Sequence, residues 1–476
     1  MELKELISLA DERIKEYREL KELGMFYNSH NFIPGGVHYP LITDYPEIEY
    51  DEMFKGYKKP KDEMFDAYVH IPFCSKCCTF CHYPSLYNNS DEEKDKYITA
   101  IDKNMDIYMQ TVGIDKIKLK SALIAGGTST DLTPKQLERF LQIFTSKCDM
   151  SKTTQFNYDV SPHTLINEEG ITKLKILKEY GVGRVTIGIQ TLNEAIMKAM
   201  NRPHNKAEGL QSIKNALDLG FKVNIEFIFG YPQQTLENWF EDLKEMVTLG
   251  ADEIQFYRLK IDAYGDQQGN IKIVKEQHAD LFPTVEDTFR MKAMVIDYLK
   301  KFGYIENMRR VFTKTKADFS HFAFGQCCRM RDQLAFGVTG YSNLSDRFVL
   351  NTYKFDKFYE RINEGKLPFD RGIVRDADTQ QRWALIMPLK NYFVDKKYYK
   401  EQTNVDIENS VVYPIIQVAK EYGLIEENEK QIKLTPKGSF FADEVVGLFY
   451  NPKYNPFKKE EFKEGPLNPY SLNSRS

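Results

Sequence analysis

The chain reads as an α/β protein built on a parallel sheet, with a smaller module appended. Three observations predict this. From residue 68 to residue 302, short β-rich runs alternate six times with helical patterns, and consecutive strand-helix units call for a parallel sheet with helical crossovers. At 476 residues the chain exceeds one average domain, so one large domain with a smaller one is the natural organisation. Hydrophobic residues make up 42% and charged residues 28%, the balance of a globular protein able to bury a full core.

The first element is an amphipathic helix over residues 3–23, where Leu3, Leu6, Ile7, Ala10, Ile14, Tyr17, Leu20 and Leu23 recur at helical spacing among Glu, Lys and Arg. Its apolar stripe should pack against the larger domain. An irregular arm begins at Phe32, rich in Pro, Gly and aromatics, and its His38 reads as a loop residue rather than a ligand. Strands are expected over residues 68–71, 120–125, 155–160, 184–189, 222–229 and 253–259, with helices over 92–109, 134–144, 168–180, 207–219, 236–249 and 286–302. Past Tyr304 the alternation stops. A spacer with Gly365 and the Arg371-Gly372 pair precedes helical segments such as 380–389. The tail from Asn451, with four prolines, reads as poorly ordered at its end.

Composition excludes some functions. A net charge of -4 gives no general attraction to nucleic acid. No run of about 18 apolar residues predicts a membrane span, and the start Met1-Glu-Leu-Lys-Glu-Leu-Ile7 is a charged helical pattern rather than a signal peptide. A cytoplasmic protein is expected. Seven cysteines, with adjacent pairs at Cys77-Cys78 and Cys327-Cys328, do not form a disulfide framework.

Four of those cysteines fall in one stretch, Tyr68-Val-His-Ile-Pro-Phe-Cys-Ser-Lys-Cys-Cys-Thr-Phe-Cys81. Within it Cys74, Cys78 and Cys81 stand at the spacing C-x3-C-x2-C. A loop with three thiolates so spaced can wrap three corners of a cubane [4Fe-4S] cluster, leaving one iron open for chemistry. The alternatives are a zinc site, usually read from paired C-x2-C arms or Cys/His combinations, and structural thiols in a reducing compartment. Only the cluster accounts for the neighbouring motifs.

The cysteines, the preceding Tyr68-Val-His-Ile-Pro-Phe73 and the aromatic Phe80 resemble the radical S-adenosylmethionine (SAM) superfamily, and more closely its oxygen-independent coproporphyrinogen III oxidase family. The resemblance implies an open (β/α)6 partial TIM barrel with a C-terminal helical or winged-helix module, and an active site at the C-terminal ends of the strands. It implies a [4Fe-4S] cluster on Cys74, Cys78 and Cys81, with SAM on the free iron and Tyr68 and Phe80 close by. Reductive cleavage of SAM would yield methionine and a 5'-deoxyadenosyl radical, which the protein positions and encloses. On this reading residues 1–64 are a helix and arm, 65–305 the radical SAM core, 306–375 a substrate-side extension, 376–450 the C-terminal module and 451–476 a tail.

The strand-end motifs match together. Ala125-Gly-Gly-Thr-Ser-Thr130 resembles the family's Gly-Gly-Gly-Thr-Pro-Thr turn, which implies that Gly126, Gly127 and Thr128 lie against the SAM amino group; Ala125 and Ser129 depart from the pattern. Asp159 stands where the family has a glutamate near that amino group. Gly181-Val-Gly-Arg-Val-Thr-Ile-Gly-Ile-Gln190 resembles Gly-Val-x-Arg-x-Ser-x-Gly-Val-Gln, so Gln190 would offer its amide to the SAM ribose or carboxylate, while Arg184 reads as structural. Arg202, in Asn201-Arg-Pro-His204, has the planar fork suited to the SAM carboxylate. Glu226 replaces the family's ribose-binding acid, and Gln233 replaces a glycine. A carboxylate in an apolar strand is costly without a polar partner, so Glu226 should face the ribose. Tyr257 matches a position that lines the substrate cavity or the core.

The block around Gln326-Cys-Cys328 and Gly337 to Tyr341, with Asn351, resembles a substrate-side block of the family, in which Cys327 and Cys328 are buried thiols or substrate contacts. Residues 422–438 and the helix from Ser439 resemble the C-terminal module. Without a basic helix face it reads as a lid or packing module rather than a nucleic-acid binder.

True coproporphyrinogen oxidases continue the cluster motif with a further cysteine, whereas here Cys81 is followed by His82 and Tyr83. This counts against decarboxylation of propionates. Three functions stay open: radical chemistry on a tetrapyrrole such as a porphyrinogen or haem, class C methylation of an aromatic or heterocyclic carbon with two SAM molecules bound, and a haem chaperone. His82, Tyr83 and Tyr257 are the candidate catalytic residues. Flavodoxin or ferredoxin is the expected electron donor.

Overall fold

The computed structural model describes residues 1–28, 38–48, 53–87, 89–262, 269–316, 318–391 and 393–474. The start of the arm, 32–37, lies outside the described residues. Six parallel strands form the centre: β1 (Met64–Ile71), β2 (Ile117–Gly126), β3 (Gln155–Val160), β4 (Arg184–Gln190), β5 (Lys222–Phe229) and β6 (Glu253–Arg258). Each pairs with the next in register, as Tyr68 with Leu123, Leu123 with Asn157, Tyr158 with Val185, Val185 with Val223 and Ile225 with Ile254. Val185, Ile187, Val223 and Ile225 are fully buried, as parallel strands covered on both faces require.

The crossovers are α2 (Asp91–Val112), α3 (Pro134–Ser146), α4 (Glu168–Glu179), α5 (Lys206–Asp218), α6 (Leu236–Met246) and α7 (Val285–Lys301), preceded in the chain by α1 (Leu3–Glu22). Four start with a reciprocal capping box: Ser90 with Glu93, Thr133 with Gln136, Asn205 with Glu208 and Thr235 with Asn238. Each box satisfies backbone N–H groups that a helix start leaves orphaned, and so marks where a strand-end loop hands over to a helix.

The sheet continues past the alternation. A hairpin of Ile305–Met308 and Val311–Thr313 extends the β6 edge. Gln333–Phe336 pairs parallel to β1, and Tyr341–Leu344, Arg347–Asn351 and Phe369–Val374 continue antiparallel, giving a 13-stranded sheet among the described residues. The expected spacer is thus partly a strand, with Gly372 packed so closely that a Cβ there would meet the Phe348 carbonyl at 2.8 Å. The architecture is the open, partial-barrel α/β fold that the sequence predicts, with a helical C-terminal part.

A polar network closes the base of the barrel. Arg184 pairs with Glu253 at 2.7 Å and donates to Asn157 at 3.2 Å, while Asp66 accepts from Ser121 at 2.6 Å and from Arg331 at 3.0 Å. Arg184 is structural, as the sequence suggests.

The C-terminal part is built on Ala377–Asn391, whose Trp383 lies 3.9 Å beneath the Arg375 guanidinium, and on a three-stranded sheet of Phe393–Asp395, Gln431–Leu434 and Ile425–Glu427. Ala10, Ile14, Tyr17 and Leu20 of α1 share a second core with Phe289 and Ala293 of α7 and with Phe440 and Phe441. The tail packs onto this core as far as it is described. Phe457, Phe462, Leu467 and Leu472 are buried in that core, and the Tyr27 and Phe457 rings stack at 3.6 Å. Its prolines start turns, as Pro469 does for the helix Pro469–Asn473, capped by Asn468. The final two residues, 475–476, lie outside the described residues. Among the described residues no helix is long and apolar enough to cross a membrane.

Candidate active site

The cysteine loop leaves β1 and is pinned from several elements. Phe73–Cys74 pairs with Leu86–Tyr87, the Gly127 N–H donates to the Ile71 carbonyl at 2.8 Å and the Thr128 N–H to the Phe73 carbonyl at 2.6 Å. The Asn201 amide donates to the Cys77 carbonyl at 2.7 Å, and the Thr79 N–H to the Met200 carbonyl at 3.1 Å. A Cβ at Gly127 would stand 2.7 Å from the Phe73 carbonyl and 3.0 Å from Cys74 Sγ, and one at Gly126, with φ +121°, would meet the His70 ring at 2.9 Å. The glycine pair therefore lets the end of β2 close onto Cys74, whose sulfur also lies 3.7 Å from the Thr128 hydroxyl.

Burial raises the Cys74 thiol and pushes that of Cys81 up to about 12. Beside Cys78 the structure supplies a cation: Arg202 Nη1 lies 3.2 Å from Cys78 Sγ, while Nη2 donates to the Gly188 carbonyl at 2.5 Å. Cys77 faces elsewhere, its sulfur 3.8 Å from the Cys78 carbonyl and alongside Tyr87. Among the described residues no three His, Cys, Asp or Glu side chains are grouped to hold a metal ion. A cubane is wider than a single ion and keeps its thiolates on separate corners.

The ends of β3 to β6 bring Asp159, Gln190, Glu226 and Tyr257 to one mouth. The Tyr257 hydroxyl donates to Glu226 Oε1 at 3.0 Å. Burial raises Glu226, and the Tyr257 bond with Arg184, Arg202 and Arg310 offsets part of that. Burial and the neighbouring Glu226 charge likewise raise Asp159. Two carboxylates so placed suit a cationic ligand group. Gln190 sits at φ +72° where the β4 register slips, and its buried Oε1 has no hydrogen-bond partner among the described residues, the kind of orphan that a ligand satisfies. The donor set, the glycine cradle and this orphaned acceptor all fit a cluster with a polar cosubstrate.

The remaining expected site residues are placed as follows. The Tyr68 hydroxyl lies 3.2 Å from His70 Nδ1, and its ring stacks on Tyr341 at 5.7 Å. Phe80 lies 5.9 Å from the Arg202 guanidinium and packs with Ile196, Met200 and Tyr231. His82 accepts at Nδ1 from the Gly269 N–H at 2.8 Å, and its Nε2 is 3.1 Å from the Lys260 carbonyl. Both ring nitrogens are thus engaged, and the ring clasps the cluster loop to the segment after β6. Tyr83 is 60% exposed at the rim, its hydroxyl pushed up to about 12 by burial of that end and by Cys81, Glu226 and Asp159. Cys327 and Cys328 are buried.

Sequence reasoning missed two features. His38, read as a loop residue, brings its ring within 5.5 Å of Phe348 and 6.1 Å of Tyr341, and burial with the charges of Lys260 and Lys390 drives its pKa down to about 3. Arg202, which the sequence directs at the SAM carboxylate, brings its guanidinium to Cys78. No local signal in the sequence marks either contact.

Residues 68–246 match the model of the Radical SAM superfamily. The chain is similar to the heme chaperone HemW of Bacillus subtilis, 25% identical over 396 residues that cover 81% of this chain and 99% of that protein. It is also similar to the oxygen-independent coproporphyrinogen III oxidase of Helicobacter pylori, 24% identical over 436 residues covering 86% and 93%. Among solved structures, coproporphyrinogen III oxidase (HemN) from Escherichia coli aligns with a TM-score of 0.74 at 20% identity, covering 89% of this chain and 97% of that one. The cofactors implied are a [4Fe-4S] cluster and SAM. Residues 68–246 are therefore a radical SAM domain, set in a chain with the fold of HemN.

Proposed function

We propose that this protein is a radical SAM enzyme acting on a tetrapyrrole, a porphyrinogen or haem, or on a related conjugated substrate. The observation that carries the radical SAM reading is the convergence of the Cys74, Cys78 and Cys81 loop, Arg202 and the Asp159–Glu226 pair at one barrel mouth. The tetrapyrrole class is supported by relatives named for coproporphyrinogen and heme that cover more than four-fifths of the chain.

When bound, the cluster and SAM supply a 5'-deoxyadenosyl radical to the substrate. Cys74, Cys78 and Cys81 hold the cluster; Gly126, Gly127, Thr128 and Asp159 receive the SAM amino group. Arg202 and Gln190 serve its carboxylate, Glu226 binds the ribose hydroxyls, and Tyr68 and Phe80 wall the cofactor. Tyr83 and Tyr257 face the substrate, and His82 holds the loop. Residues 65–305 form the catalytic core, 306–375 cover its substrate side, and 376–450 act as a lid or packing module. The electron comes from a flavodoxin or ferredoxin, and all seven thiols being free suits the cytoplasm.

Two further readings differ in product. The Bacillus subtilis relative favours a heme chaperone; Tyr83 in place of a fourth cysteine sets the chain apart from the decarboxylating oxidases and leaves class C methylation as the other. The test is anaerobic reconstitution with iron and sulfide, then dithionite and SAM with and without haem or coproporphyrinogen, followed by mass spectrometry. 5'-Deoxyadenosine that rises with a tetrapyrrole is the expected result. Tight haem uptake with no SAM cleavage would turn the reading to the chaperone, and S-adenosylhomocysteine rising with another conjugated acceptor would turn it to the methyltransferase.

A further inference from the structure

Two consecutive arginines turn the hairpin on the edge of β6, and they reach different parts of the fold. Arg309 ties the turn to the C-terminal part: its N–H donates to the Asn391 carbonyl at 3.3 Å and its guanidinium to Asp443 at 2.6 Å, an acid that also pairs with Lys390 at 3.1 Å. Arg310 ties it to the barrel. Its N–H donates to Glu306 Oε1 at 2.7 Å, its carbonyl accepts from the Phe256 N–H of β6 at 3.1 Å, and its guanidinium stands over the ring of the next β6 residue, Tyr257, 4.9 Å from the ring centre.

Arg310 sits at φ +70°, a left-handed conformation that is costly for any residue with a side chain. Hydrogen bonds at its own N–H and carbonyl hold it there. Glycine makes such a turn without strain, so what arginine adds at this position is the guanidinium above Tyr257. The Tyr257 hydroxyl in turn donates to Glu226 Oε1 at 3.0 Å, which links the hairpin, β6 and β5 in sequence. A cation over the face of a half-buried tyrosine attracts the ring and restrains where its hydroxyl points.

We propose that Arg310 is a positioning residue for the barrel mouth: its guanidinium fixes the Tyr257 ring, and Tyr257 holds Glu226 as the carboxylate that takes the SAM ribose. This rests on Glu226 being the ribose acid. Around Glu226 stand Tyr257 and Glu253 from β6, Arg184 from β4, Arg202 after it, Asp159 from β3, Tyr83 from the cluster loop and Arg310 from the hairpin. Removing Arg310 takes one of three cations away and frees the hydroxyl. Both changes raise the Glu226 carboxyl, so the acid limb of SAM affinity moves to higher pH.

The test is equilibrium dialysis of SAM, across pH, against the anaerobically reconstituted wild type, Arg310→Met, Arg310→Lys and Arg310→Gly, with Glu226→Gln and Tyr257→Phe alongside. Iron content and thermal unfolding report the fold of each. Arg310→Met should weaken SAM binding about tenfold and move the acid limb up, while Arg310→Lys should return the limb and part of the affinity. Arg310→Gly should lose SAM as the Met variant does yet unfold at no lower temperature than it, because glycine relieves the left-handed turn; it also carries the comparison if the Met variant does not fold. Added to Tyr257→Phe, Arg310→Met should cost SAM little more, since the hydroxyl it acts through has gone.

SAM affinity that is unchanged in Arg310→Met and Arg310→Gly but lost in Glu226→Gln overturns the proposal and leaves the ribose acid standing. An equal cost of Arg310→Met with and without the Tyr257 hydroxyl overturns it as well. If Glu226→Gln binds SAM as the wild type does, the ribose reading itself has failed, and the proposal falls with it.

Discussion

Arg202 ties the cluster loop to the end of β4, with Nη1 3.2 Å from Cys78 Sγ and Nη2 2.5 Å from the Gly188 carbonyl. A guanidinium beside Cys78 would stabilise the thiolate that a cluster iron needs. Hydrogen bonds to charged groups contribute about 1.5–3 kcal/mol, so Arg202→Met should cut both cluster occupancy and SAM cleavage by roughly tenfold or more. Arg202→Lys keeps the charge but not the fork, and should fall between. Iron and sulfide analysis with 5'-deoxyadenosine yields checks this; full iron content and yield in Arg202→Met would show the contact to be incidental.

The three cysteines proposed as cluster ligands and their neighbour should separate cleanly. Alanine at Cys74, Cys78 or Cys81 should abolish the four-iron absorption and the SAM cleavage, whereas Cys77→Ala should keep both, because the Cys77 sulfur lies alongside Tyr87. Electron paramagnetic resonance of the reduced proteins reads the outcome. A cluster lost only in Cys77→Ala would mean the ligand set is wrong.

The Tyr257 hydroxyl holds down the pKa of Glu226, a carboxyl that burial pushes up. Removing that bond in Tyr257→Phe raises the carboxyl further, so the carboxylate survives only at higher pH. If Glu226 binds SAM as a carboxylate, the acid limb of SAM affinity should move to higher pH in Tyr257→Phe. Glu226→Gln should weaken SAM binding and spare the cluster. Equilibrium SAM binding across pH checks both, and an unchanged affinity in Glu226→Gln would remove that residue from the site.

The Arg184–Glu253 pair at the barrel base is almost fully buried. Arg184→Met strands the Glu253 charge and should cost about 3–5 kcal/mol, while adding Glu253→Leu should recover much of it, because losing both charges is far cheaper than losing one. Thermal unfolding of the cluster-free protein measures both. A double variant no more stable than Arg184→Met would show that the stranded charge is not the source of the loss.

The distribution of these contacts separates what was legible from what was not. The six strands and their crossovers follow from residue period, set within a few residues. The spacing of Cys74, Cys78 and Cys81 and the glycines at 126–127 are equally local, so the cofactor class was readable. The packing of the tail was not legible, because its turns are ordered by burial of Phe457, Phe462 and Leu467 against elements distant in the chain.

By itself, then, the sequence determined the parallel α/β core, the order of its strands and the loop that offers three thiolates. Only the tertiary structure decided that Gln333–Phe336 lies beside β1, that Arg202 meets Cys78, and that His38 comes to rest near Lys260 and Lys390. The arm is held there by Tyr39, whose hydroxyl accepts from the Asn451 N–H at 2.9 Å and whose ring lies 4.9 Å from Tyr450. Such juxtapositions join residues hundreds of positions apart and depend on packing and on shared desolvation of charge, and neither leaves a periodic or local mark in the chain.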